Sequence, residues 1–177
     1  MALFTEFLPI VLKWEGGYVE NPADPGGATN KGVTLQTFAG CSVKLLNVEP
    51  TLENLRSLTD DQAAAIYRAL YWNQVNGDQV ALQDLANIVG DFYVNAGRNA
   101  SKLLQRVMNE MGGTALAVDG VLGPASQQAL AGLDQREVYR RYKAGRISYY
   151  QNLVRQQPGL KQFLQGWLNR VNSFPDL

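Results

Sequence analysis

Apolar residues return at helical spacing along almost the whole of this 177-residue chain, and nowhere do they alternate long enough to make more than a short strand. Phe4, Phe7, Leu8, Val11 and Leu12 share one helix face, with Pro9 near the start of that helix or kinking it. Thr59-Asp60-Asp61-Gln62 is a capping box leading into AAAIYRALYW. Leu82, Leu85, Ile88, Val89 and Phe92 mark a central buried helix within residues 80–96. Leu103, Leu104, Val107, Met108 and Met111 mark another, stopped by Gly112-Gly113. Gly123-Pro124 opens a short helix with proline at its first position. Asp134 to Glu137 reads as a further capping box, heading a helix that runs to about Gln157 and is ended by Pro158-Gly159. Phe163, Leu164, Trp167, Leu168 and Val171 line the last helix. The pattern predicts an all-α chain with room for one small hairpin in residues 16–34. A soft boundary near residue 98 separates an N-terminal lobe (1–98) from a helical C-terminal lobe (99–177), expected to pack as one compact unit.

What the chain lacks narrows its chemistry. There is no histidine, which removes Ser-His-Asp and Cys-His nucleophiles, His-ligated zinc and HExxH peptidases. Cys41 is the sole cysteine, so no intrachain disulfide can form, and it reads as a small buried hydrophobe. The longest apolar stretches fall far short of the ~20 residues a membrane span requires. The N-terminal run MALFTEFLPIVLKWEGGY carries Glu6 and lacks a basic n-region, so it does not read as a signal peptide. Synthesis in the cytoplasm as a soluble protein is the expectation. Sixteen basic residues balance sixteen acidic ones, but unevenly: residues 1–90 hold five basic and ten acidic groups, residues 91–177 eleven and six. The basic run Arg136, Arg140, Arg141, Lys143, Arg146 and Arg155 reads first as a solvated face. Its functional alternative is contact with an anionic polymer such as cell-wall material. No aromatic-rich RNP pattern or basic zipper points to nucleic acid.

One segment departs from the helical rhythm. Residues 14–34, WEGGYVENPADPGGATNKGVT, contain five glycines and two prolines, and irregular loops of that length in compact domains are usually functional. Gly27 and Gly32 have the spacing of a phosphate-cradling loop, but Val33 stands where its lysine must be. Glu15 follows Leu12 and Val11 by three and four residues, so helical geometry puts it on the apolar stripe. Partial desolvation there disfavours its charge and raises its pKa, which suits a general acid for glycoside cleavage. A structural carboxylate capping the loop's N–H groups is the plainer reading. Asp24, in a polar loop whose amides can solvate it, should stay ionised. The two would make the acid and the base or nucleophile of a glycosidase, although Asp-Pro-Gly-Gly is equally a turn sequence. Thr29 and Thr34 carry hydroxyls able to hold a water, with Thr34 better placed to cap the next helix.

The run EGGYVENPADPGGATNKGVT resembles the phage-endolysin-type N-acetylmuramidases of glycoside hydrolase family 108, some of which are called secretion activator proteins. Their pattern is an E-G-G-Y helix end, then D-x-G-G-x-T and G-[IV]-T. Here it is carried by Glu15 to Tyr18, Asp24 to Gly27, Thr29, and Gly32 to Thr34. The resemblance continues through Tyr71-Trp72 and Asp91 to Gly97. Val118 to Pro124 is similar to the D-G-x-x-G-P turn of peptidoglycan-binding-like lobes, and FLQGWLNRV (163–171) to the end of the same module. Trp14 departs from the pattern, since many relatives carry His before the glutamate.

The resemblance implies a lysozyme-like helical fold that hydrolyses the β-1,4 bond between N-acetylmuramic acid and N-acetylglucosamine, with Glu15 as catalytic acid and Asp24 and Thr29 as second and third members of the set. Asp24 would polarise a water held by Thr29 (inversion) or stabilise the cation directly. A carboxyl separation of about 6.5–9.5 Å suits the first, about 5–5.5 Å the second. Clefts that take sugars mix aromatics with amides, so Tyr18, Tyr71, Trp72 and Asn95 are the substrate-contact candidates. For Tyr71 and Trp72 a place in the core is the competing reading, and for Asn95 a helix cap. No metal or cofactor is implied. The expected partner is the peptidoglycan glycan strand, met by a monomer after a holin-like membrane lesion, a dedicated exporter or lysis gives access to the wall. A non-catalytic peptidoglycan-binding or secretion-associated protein and a lytic transglycosylase are the alternatives.

Overall fold

The computed structural model describes residues 1–15, 18–19, 27–112 and 115–177, and within them the regular structure is almost wholly helical, with one two-stranded hairpin. Contacts group the chain into two units: Leu8–Tyr71, and Met1–Phe7 with Trp72–Leu177. The first helix, α1 (Phe4–Trp14), holds Pro9 in its interior; the ring deprives the Thr5 carbonyl of its helical donor, and both residues are exposed, so water can serve it. Phe4, Phe7 and Val11 bury the face predicted for them.

In the Leu8–Tyr71 unit, threonines start each new helix. The hairpin β1 (Thr29–Asn30) and β2 (Val33–Thr34) leads into α2 (Leu35–Leu46), capped by the Thr34 hydroxyl accepting from the Thr37 N–H at 3.1 Å. Thr51 caps α3 (Leu52–Arg56) in the same way. Thr59 and Gln62 form the complete reciprocal box at the head of α4 (Asp60–Tyr67), as the sequence predicts. Val11, Val33, Phe38, Leu55, Ala63 and Ile66 are the buried centre, and α2 packs against α3, α4 and β2. Cys41 is buried among them, and desolvation pushes its thiol pKa up. After Tyr67 the helix widens into a π-helical turn, Arg68–Trp72.

In the larger unit α5 (Gln83–Ala96) is the axis. Its residues Leu85 to Phe92 are all buried, which no surface helix allows, and α6 (Arg98–Glu110) and α8 (Gln135–Gln156) lie against it. Phe7 reaches the α5 backbone because position 90 has no side chain: a Cβ there would sit 2.8 Å from the ring. The short α7 (Pro124–Ala131) packs on α6, and α9 (Lys161–Asn172) on α8. Of the predicted box at the head of α8, only half forms. Asp134 accepts from the Arg136 N–H, while Glu137 turns outward to Arg140 and Arg141, the stronger partners for an exposed carboxylate.

The reading of Arg146 as part of a solvated basic face is corrected by its burial. Its side chain is 0% exposed, because Asp91 on α5, also 0% exposed, supplies a counter-charge at 2.6 Å. Arg170 from α9 binds the other Asp91 oxygen at 2.7 Å, so one carboxylate receives two guanidinium groups. The Arg146 guanidinium also lies 4.9 Å from the Phe92 ring centre and 5.8 Å from those of Tyr150 and Phe174, contacts that partly replace lost hydration. Among the described residues Asp91 is the carboxylate that Arg146 and Arg170 share, so removing its charge leaves two desolvated guanidinium groups without that counter-charge. Asp91→Asn is therefore expected to cost about 3–5 kcal/mol of stability, read as a lowered midpoint in urea unfolding of the full chain.

Candidate active site

The site is assembled by a turn whose second position only glycine fits. Between β1 and β2 the chain reverses in two residues, Lys31 (φ +48°) and Gly32 (φ +74°), and two successive positive φ values define the tight hairpin turn whose twist matches its strands. Asn30 and Val33 pair across the hairpin and point into the unit. Thr29 pairs with Thr34 on the other face, and on its free edge exchanges two 2.8 Å backbone hydrogen bonds with Val19. Asn30 is buried and donates from its amide to the carbonyls of Leu55 (2.9 Å) and Arg56 (3.0 Å), satisfying the end of α3 and fixing the hairpin to it.

Glu15 follows the last residue of α1, half-buried, its N–H donating to the Leu12 carbonyl at 3.3 Å. Its side-chain stem rests on Gly32. A Cβ built there would lie 2.7 Å from Glu15 Cγ, 2.9 Å from its Cβ and 2.2 Å from the Tyr67 hydroxyl. Tyr67 is buried and donates to the Lys31 carbonyl at 3.1 Å, so the same phenol that fills the hole also pins the turn. One helical turn on, Tyr71 packs its ring 5.4 Å from that of Tyr67. Burial first, and then the nearby Glu15 and Cys41, hold the Tyr71 hydroxyl pKa above the ordinary tyrosine value, so it remains a neutral donor. Tyr71 lies in the π-helical turn; such widened turns are frequent at functional sites.

Of the residues expected from the sequence, Glu15 and Tyr71 come together around the Lys31-Gly32 turn, and Thr29 stands in the hairpin that carries it. Tyr18 is exposed and held by Arg56, whose Nε donates to the phenol oxygen at 2.8 Å with the guanidinium 5.2 Å from the ring centre. Asp24, with Gly16, Gly17 and residues 20–26, lies outside the described residues. Trp72 is fully buried in the other unit, 4.9 Å from Phe7 and 5.9 Å from Phe4 between ring centres, and its indole N–H donates to Asp78 at 2.8 Å. Its faces are covered, which is the core reading rather than the sugar-binding one. Asn95, also in that unit, is exposed but donates its amide back to the Asp91 carbonyl at 2.8 Å. Tyr67, Asn30 and Arg56 were not foreseen. Tyr67 falls on the apolar face of α4 and looks like core; only contact across the fold reveals its polar end.

The fold is predominantly helical and lysozyme-like, with Glu15 at the end of its first helix seated on a glycine turn. Residues 8–97 match glycosyl hydrolase 108 and residues 99–172 the predicted peptidoglycan domain. The solved structure of SagA from Brucella abortus is similar over nearly its whole length: TM-score 0.71 and 28% identity, covering 97% of this chain and 94% of that one. A search of curated proteins finds no match. The chain belongs to the glycosyl hydrolase 108 family. With a peptidoglycan-binding module following the hydrolase segment, it is a peptidoglycan hydrolase.

Because Gly32 is required by both its φ and the space it leaves, Gly32→Ala should lower stability by at least ~2 kcal/mol and displace Glu15, with activity on cell-wall sacculi falling in parallel. Lys31→Asn, a residue that tolerates positive φ, should stay within about 0.5 kcal/mol of the parent in the same urea titration.

Proposed function

We propose that the protein is an N-acetylmuramidase that hydrolyses the β-1,4 bond between N-acetylmuramic acid and N-acetylglucosamine, with Glu15 as the general acid. The observation that carries this reading is the seat of Glu15: a half-buried carboxyl at a helix end, its stem on Gly32 and a phenol from each of two successive helical turns beside it. Such a seat fixes the acid's direction before substrate arrives, so little is lost to ordering it in the transition state.

Glu15 donates its proton to the departing glycosidic oxygen as positive charge grows on the sugar ring. Asp24, in the sequence between Glu15 and Thr29, stabilises that charge or deprotonates a water positioned by the Thr29 hydroxyl. Tyr18 and Tyr71 offer a ring face and a neutral hydroxyl to the sugars, and the restraint of Tyr18 by Arg56 suits it for stacking. In this reading residues 1–98 form the catalytic lobe and residues 99–177 the lobe that engages the wall, where the monomeric enzyme acts on glycan strands.

General acid catalysis contributes roughly 10²–10⁴ in rate, so Glu15→Gln should reduce release of reducing ends from purified sacculi by that factor while leaving the unfolding midpoint unchanged. Near-normal release by this variant would refute the role of Glu15. Mass spectrometry of the wild-type products tests the bond chemistry separately: hydrolysis adds one water, and anhydro-muramoyl ends would instead identify a lytic transglycosylase.

A further inference from the structure

The helix pair α8 and α9 has a core at one end and none at the other. Near the start of α8, Val138, Tyr139 and Tyr142 are buried, and the chain after α9 returns to them, with Tyr139 donating to the Pro175 carbonyl at 2.6 Å. At the opposite end the 3-10 turn Pro158–Leu160 joins the two helices. There Leu153, Leu160, Phe163, Leu164, Trp167 and Leu168 are all half-buried or exposed, Phe163 to 49%. A Cβ built at Gly159 or Gly166 would meet no atom within 4 Å, so the structure leaves both positions uncovered. Clustered apolar side chains left in solvent mark a surface that meets something.

The rings at this end are held in place. Phe163 and Trp167 stand one helical turn apart on α9 and face the same way, their ring centres 5.9 Å apart. Tyr150 of α8 stacks on Trp167 at 5.0 Å with the planes inclined by 20°, which supports the indole from the core side. Phe163 is the outermost ring of the three.

Charge decides what fits such an end. From Val138 to Pro175 the chain has seven basic residues and no acidic one. Five of the seven are matched: Arg140 and Arg141 by Glu137, Lys143 by Asp176, Arg146 and Arg170 by Asp91. The other two, Arg155 and Lys161, flank the turn that joins the helices, and among the described residues neither has an acidic partner. Arg155 donates to Asn152 of its own helix at 3.2 Å. Two copies of the chain meeting through this end would bring like charges together, a repulsion that an anionic surface turns into attraction. Aromatic and aliphatic side chains beside unmatched cations are the composition of helices that lie in the headgroup region of an anionic bilayer. Among the described residues no helix is long and apolar enough to cross a membrane, so the contact this composition supports is with the membrane surface.

We propose that this end of the α8–α9 pair docks on an anionic phospholipid bilayer, with Leu160, Phe163 and Trp167 seated among the headgroups and Arg155 and Lys161 paired with lipid phosphate. The chain lies on the membrane through these residues. The proposal uses no part of the Glu15 site and stands apart from the muramidase reading.

The test is co-sedimentation of the full chain with large unilamellar vesicles of equimolar phosphatidylglycerol and phosphatidylcholine, with pure phosphatidylcholine vesicles as the neutral control. The parent should bind the anionic vesicles at least ~10-fold more tightly, and the difference should shrink as salt rises. Arg155→Gln with Lys161→Gln should weaken anionic binding by roughly 10- to 30-fold, about fivefold per charge. Phe163→Ser should weaken it by about 5- to 10-fold, because adsorption scales with the apolar area buried. Vesicles with brominated acyl chains should quench the tryptophan fluorescence of the parent, and the quenching should be lost in Trp167→Phe. All four substitutions are at exposed or half-buried positions, so urea midpoints should match the parent. Absence of quenching in the parent overturns the proposal whatever the variants do. So does equal binding to neutral and anionic vesicles, or equal anionic binding by the charge variant. If the vesicles go unbound while Phe163→Ser abolishes self-association, or retention on lipid-free sacculi, the surface belongs to a second copy or to glycan and the proposal fails. Vesicle binding without hydrolysis of sacculi would support the proposal and count against the muramidase reading alone.

Discussion

A single buried carboxylate organises the larger unit. Asp91 sits on the helix that every other long helix of that unit either touches or reaches through its neighbour, and it draws one arginine from α8 and another from α9. Apolar packing alone would let α8 and α9 rotate or slide by a turn at modest cost, because Leu, Ile and Tyr faces tolerate exchange. A desolvated guanidinium resists sliding: away from Asp91 it would be a buried charge without its counter-charge. The cluster is thus better understood as fixing the register of three helices than as adding net stability. The surrounding rings of Phe92, Tyr150 and Phe174 serve the same end by closing it to water.

The smaller unit solves a different problem, the seating of a carboxyl side chain at a helix end. Glu15 lies just past the end of α1, where backbone restraint fades, and it is steadied from outside by a turn and two phenols. Gly32 is the joint of that arrangement: its positive φ makes the hairpin and its missing side chain makes the seat. Tyr67 couples the two, since its hydroxyl bonds the turn from the space a Cβ would need. Local geometry and site geometry are thereby one constraint, which explains why the glycine and the glutamate belong to the same motif although seventeen positions apart.

Much of the helical architecture could be read directly. Capping at Thr59, proline at the start of α7, the ending of α8 before Pro158 and the buried run of α5 all arise from interactions within a few residues, and local chemistry suffices to predict them. Other features turned on partners that the local pattern does not rank. Arg146 reads as surface because basic neighbours surround it in sequence, whereas its partner is 55 residues away on another helix. The box at Asp134 fails because Glu137 has arginines three and four residues on. Trp72 reads as sugar platform with core as the stronger competing reading, and the covering of its ring by Phe4 and Phe7 decides for core.

The sequence by itself determined the helical class and the family motif, because periodicity, caps and a dense glycine-rich run are short-range signals. Only the tertiary structure decided which side chains surround Glu15 and which arginines are buried. Those outcomes depend on desolvation and on approaches between segments remote in the chain, where a partner's position, and not its residue type, sets the energy.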